Sequence, residues 1–281
     1  MSVIKSRYFQ NKEYSSKEAL FTDFRKNINS IIDFKKAEIH KSCEKGIAIT
    51  CRSLDAISIQ DQIKSIKFDS AYYYVAVNST LVLDSHEDLH VDGLWAKSIS
   101  EQQGKNYLVA DHELKIDSVI VKKEYIEMFT AKIPFALLGK PYEGDTEVLV
   151  YKFPKDKVVH PRAKEWLESG DEIEASVRMQ YVTILFAMDS NDPEDKTLKK
   201  NYDEFFPLIA NKEEFEYIPY YFIIKEAKNV RESSLVVFGS NGSTGPIFAD
   251  PSKDSPEEKT IENDPAQTSQ QITKGSSLLL L

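Results

Sequence analysis

The side chains in this sequence that could do chemistry are a serine, a histidine and several carboxylates at strand-like positions. Ser176 lies in DEIEASVRMQYVTILFAM, residues 171–188. There Ile173, Ala175, Val177, Met179 and Tyr181 alternate with Glu174, Ser176, Arg178 and Gln180, the two-residue period of a half-buried strand. Ser176 is therefore expected on the polar face, next to Arg178. A serine hydroxyl is a poor nucleophile until a neighbouring base takes its proton, so this strand alone specifies no reaction. His112 ends a second strand-like stretch, YLVADH, and shares a face with Leu108 and Ala110. On a regular strand Asp111 points the other way, which excludes it as the acid orienting its neighbour. Glu226 and Glu232 belong to later strand-like stretches, where pairing with Lys225, Lys228 or Arg231 as solvated carboxylates is the plain alternative.

Two further sets raise metal or thiol chemistry. His86 and His90 sit four apart amid Asp84, Glu87, Asp88 and Asp92. On a helix that spacing would let them share a metal, but the segment follows a strand-like stretch and precedes Gly93, which predicts a polar loop. With no soft third ligand in view, no metal is expected. Cys43 and Cys51 are too few for a disulfide framework and predict a reducing cytoplasm. A cysteine hydrolase is the rival they suggest, against the reading of buried or incidental thiols. The run GSNGSTG at 239–245 lacks the Gly-Lys-Ser/Thr ending of a phosphate loop.

The elements that must position these groups follow from periodicity. Leu20, Phe24, Ile28, Ile31 and Ile32 make one helical stripe after a capping box at Ser15 and Glu18. That amphipathic helix must cover the main domain or dock on another protein. Strands are predicted at 68–77, 107–112, 118–122, 146–153, 217–227 and 230–238. A short helix at 161–169, with Pro161 in its first turn and Gly170 at its end, leads directly into the Ser176 strand. Beyond Tyr181 the apolar parity switches to Val182, Ile184 and Phe186, which predicts burial on both faces or a bulge. Leu198, Tyr202, Phe205, Phe206 and Ile209 form a helical stripe interrupted by Pro207. The pattern predicts an antiparallel, β-rich core decorated by helices. It divides the chain into a largely helical extension (1–65), a folded domain (66–245) and an acidic, disordered tail rich in Ser, Pro and Glu (246–281).

Composition narrows the function. A length of 281 residues with 41% hydrophobic content fits one substantial core plus flanking pieces, or two small domains, and a net charge of −9 argues against a nucleic-acid partner. No apolar run approaches a membrane span and no apolar leader opens the chain, so neither a membrane partner nor export is expected.

Four blocks in order resemble the prohead (capsid-maturation) proteases of tailed bacteriophages, over roughly residues 69–244. They are the Asp-rich stretch 84–93 ending in Gly, the strand ending in His112, the helix and Gly170 before the Ser176 strand, and Glu232-Ser-Ser-Leu-Val236. The order His, Ser, Glu on separate strands is the specific part. The resemblance implies an α+β, mainly β fold with a herpesvirus-assemblin-like antiparallel barrel and peripheral helices. It implies a serine endopeptidase with Ser176 as nucleophile, His112 as general base and Glu232 as third member, with Glu226 the alternative third member. No cofactor is implied. Substrates would be the scaffold protein, the scaffolding segment of the major capsid protein, and the enzyme itself, inside the prohead in the host bacterial cytoplasm. A homodimer is compatible with the family. Family members commonly carry Gly two residues after the serine, where this chain has Arg178. Its guanidinium is expected to face the developing oxyanion, although the same bulk in another rotamer would obstruct the site. The rival in a different class is a non-enzymatic capsid-assembly or scaffold protein that keeps an inactive protease fold.

Overall fold

The computed structural model describes residues 4–42, 48–49, 68–170 and 173–237. In chain order these form α1 (Lys17–Ala37), β1 (His40–Ser42), β2 (Ala48–Ile49), β3 (Tyr72–Ser79) and β4 (Asp88–His90). Next come α2 (Ala96–Gln102), β5 (Tyr107–Ala110), β6 (Val119–Val121), β7 (Glu127–Pro134), β8 (Asp145–Pro154) and α3 (Pro161–Ser169). The two longest strands, β9 (Glu174–Met188) and β10 (Tyr220–Val236), flank α4 (Lys196–Phe205). Counting the short 3-10 turns, helical and strand residues take about equal shares, so the fold is mixed α/β. Among the described residues no helix is long and apolar enough to cross a membrane. Cys43, Cys51, the glycine-rich run and the whole of the expected tail lie outside the described residues.

One sheet has the order β1-β9-β10-β5-β6, with β4 also on β10, and the other the order β2-β3-β8-β7. Neither closes on itself among the described residues, which corrects the expected closed barrel. Nor is the larger sheet purely antiparallel. β10 runs antiparallel to β9 but parallel to β4 and β5, which follow one another along its other edge. The crossover between those two short strands is α2, and it supplies what the edge lacks. The Asn229 N–H donates to Ser98 Oγ at 3.1 Å, and Gln102 Nε2 donates to the Asn229 carbonyl at 2.9 Å. These bonds satisfy backbone groups that the interval between β4 and β5 would otherwise leave open.

The parity switch in β9 is a bulge and double burial at once. Ile224 opposes Ile184, but Ala227 opposes Tyr181, with the register shifting on both strands between them. Ala175, Val177, Met179 and Tyr181 before the shift, and Ile184, Phe186 and Met188 after it, therefore all reach the main core. The intervening Leu185 and Ala187 pack on the opposite side with Tyr202 and Phe205 of α4. A single bulged β10 replaces the two separate strands expected between 217 and 238. α3 keeps the predicted bounds, and Gly170 closes it at φ +76°, donating its N–H to the Trp166 carbonyl. The cap of α1 is Ser16 rather than Ser15, its hydroxyl accepting from the Ala19 N–H at 3.3 Å.

Candidate active site

Three neighbouring strands set the frame of the site. In register, Ser176 on β9 faces Ser234 on β10, and Ser234 faces Val109 on β5. His112 follows the end of β5, which lies two strands from Ser176, a separation of about 10 Å across the sheet. A regular strand could not close that distance. β5 stops at Ala110, and Asp111 and His112 both take left-handed backbone, at φ +51° and +57°. This corrects the expected strand alternation: the two-residue period ends before His112, and the chain curls so that the imidazole reaches across β10. His112 Nε2 comes to 2.8 Å from Ser176 Oγ.

Glu232 reaches the other ring nitrogen, with Oε1 2.9 Å from His112 Nδ1. A second bulge puts it there. Four steps on β10, from Asn229 to Ser233, answer two on β9, from Met179 to Val177, and Arg231 takes φ +74° within them. Asn229 and Ser233 bond to each other on the core side, where Asn229 also donates to the Tyr151 hydroxyl. Glu232 and Ser234 take the opposite side, with Ser176. A carboxylate only accepts, so the bond to Glu232 fixes the proton on Nδ1 and leaves Nε2 as acceptor for the serine hydroxyl. Glu232 is fully buried and its Oε2 has no hydrogen-bond partner among the described residues, which concentrates its charge on the imidazole.

The polar face of β9 is covered at Ser176. Ser176 has no exposed surface, and the His112 side chain keeps only 9% of its own. A substrate carbonyl therefore reaches Oγ only when a neighbouring group shifts. Arg178 shares Ser176's face, is partly exposed and lies opposite Lys41 of β1. Its buried Nε has no hydrogen-bond partner among the described residues.

The remaining candidates lie elsewhere. Glu226 sits 3.2 Å from Lys97 and accepts from Thr183 Oγ1 at 3.4 Å, in the first bulge rather than the second. His86 and His90 diverge, because residues 88–90 form β4 rather than a loop, as pairing with β10 overrides the local polarity. His86 is exposed. His90 is buried in a polar chain in which Asn78 and the Tyr181 hydroxyl flank its ring, and Tyr181 in turn donates to Asp88 at 3.0 Å. Asp88 also holds Lys35 of α1 at 2.5 Å, so this cluster anchors the N-terminal helix. Sequence reasoning included Ser234 in the block Glu232-Ser-Ser-Leu-Val236 but gave it no role. The available signal was its spacing, since two residues after Glu232 on a strand is the same face.

Compared with protein-family models, curated protein sequences and solved structures, the chain matches none.

Proposed function

We propose that this chain is a serine endopeptidase acting through Ser176, His112 and Glu232. One observation carries the reading: Ser176 of β9, Glu232 of β10 and His112 of the turn that follows β5 form an unbroken hydrogen-bonded line of 2.8 and 2.9 Å with the carboxylate buried at its end. In this reading Ser176 Oγ bonds to the scissile carbonyl carbon while its proton passes to His112 Nε2. The carbonyl oxygen becomes the oxyanion, and Arg178 is the side chain placed to meet it. Collapse breaks the C–N bond, with Nε2 returning its proton to the leaving amine. Water then enters by the same base and releases the acyl group.

The likeness to prohead proteases extends the proposal to substrate and place. The enzyme would cleave scaffold, the scaffolding segment of the major capsid protein and its own tail within the immature capsid. The finer assignment of the fold to the assemblin type belongs to the same reading. It is supported by the placement of the candidate triad on β9, on β10 and in the turn after β5, within one of two open sheets. Co-expression with the capsid and scaffold proteins, beside Ser176→Ala, tests it by intact-mass analysis of every product. The expected result is processing that disappears in the variant. Identical processing in both would overturn Ser176 as nucleophile. Intact masses in both, with proheads formed, would favour a non-enzymatic assembly protein.

A further inference from the structure

Ser234 is the one β10 residue directly between Ser176 and Val109 in the three-strand register, and its hydroxyl is fully buried. Both of its hydrogen-bonding capacities are spent on the segment that carries the histidine. Oγ accepts from the His112 N–H at 2.7 Å and donates to the Val109 carbonyl at 3.1 Å. The neighbouring Asp111 N–H is tied to the Leu235 carbonyl at 3.0 Å. Two consecutive left-handed residues that are not glycine persist only where their surroundings hold them. Around His112 the holding group is a side chain, so it can be removed without breaking the backbone ladder.

We propose that Ser234 is a positioning residue: it clamps the left-handed turn at His112 so that the imidazole lies over β10 and meets Ser176. This rests on the serine-hydrolase reading of the site. Size matters as well as bonding, because the ring must pass above this position to span two strands. A hydroxymethyl group is short enough to lie beneath it and polar enough to fix it.

The test compares the full chain with Ser234→Ala, using a fluorophosphonate as probe. Serine Oγ bonds to its phosphorus, fluoride leaves, and the serine proton goes to the base. The maximal labelling rate is expected to fall on the order of 10- to 100-fold, the cost of a base displaced by about 1 Å, while the half-saturating concentration is unchanged. Ser234→Thr, which keeps the hydroxyl, is expected to recover most of that rate. Exchange of the His112 backbone amide is expected to quicken in Ser234→Ala and to stay protected in Ser234→Thr. Wild-type labelling and unchanged exchange in Ser234→Ala would overturn the proposal. Should the wild-type chain take no label, the serine-hydrolase reading falls, while the His112 amide still decides whether Ser234 holds the turn. If Ser234→Ala does not fold, Ser234→Cys, of similar size and weaker bonding, takes its place in both measurements.

Discussion

A proton can pass from Ser176 to His112 without either strand moving, since 2.8 Å between Oγ and Nε2 is already a hydrogen bond. What the arrangement needs in addition is a donor for the oxyanion, and Arg178 is its residue-scale candidate. Its Nε is buried and has no hydrogen-bond partner among the described residues, and a buried donor calls for an acceptor. Arg178→Ala is expected to slow fluorophosphonate labelling of Ser176 by about 100-fold, equivalent to about 3 kcal/mol of transition-state stabilisation. Labelling at the wild-type rate would remove Arg178 from the site. Ser176, His112 and Glu232 were singled out in the sequence by the four ordered blocks that resemble prohead proteases, since residue types and strand periodicity alone specified no reaction, and the structure brings the three side chains into contact. Orientation was less legible. Strand alternation assigned His112 a face that its left-handed backbone does not keep.

At the scale of elements, β9 and β10 do most of the positioning, and each carries two side-chain phases. The period of two was readable on β9 up to Tyr181, as was the switch after it. The partner's compensating shift between Ile224 and Ala227 was not, because a bulge is a property of a pair of strands and a single sequence shows one strand at a time. For the same reason β10 looked like two strands, its irregular middle resembling a turn. The bulge at Arg231 links backbone shape to chemistry. Left-handed backbone there turns Glu232 towards His112, and Arg231 itself is exposed, so its side chain can be exchanged without emptying the core. Arg231→Val puts a branched Cβ where φ must be +74°. It is expected to cost about 1–2 kcal/mol of stability in urea unfolding. It is also expected to slow labelling of Ser176 by more than that loss of folded population explains. Arg231→Gly should do neither. Equal labelling rates in the two variants would show that this bulge does not set the position of Glu232.

Among the described residues the N-terminal helix, which the sequence presented as an amphipathic extension with two uses, ties several elements to one core. Leu20, Phe21 and Phe24 of α1 are buried in the same core as the site strands. The Phe24 ring lies 5.0 Å from that of Phe186 on β9 and 4.3 Å from that of Tyr220 on β10, spanning the two strands. Lys35 adds a buried ion pair to Asp88, and Arg25 grips Asp195 at 2.6 Å ahead of α4. The helix then delivers β1, which pairs with β9 at Val177, Arg178 and Met179, immediately beside Ser176. Cohesion and the site therefore share one support. Phe24→Ala is expected to cost about 3–5 kcal/mol, from lost transfer energy and the cavity left between three elements. Against a total stability of about 5–15 kcal/mol, that is a large fraction of what holds a domain folded. Urea unfolding of the full chain should show a lowered midpoint with an unchanged slope, and labelling of Ser176 should vanish at the same urea concentration as the fold. A chain beginning at residue 66 is expected not to fold, because it lacks both the aromatic wedge and the strand that edges β9. If that shorter chain unfolded cooperatively and still took the label, the helix would be an accessory to the domain, free to serve a partner instead.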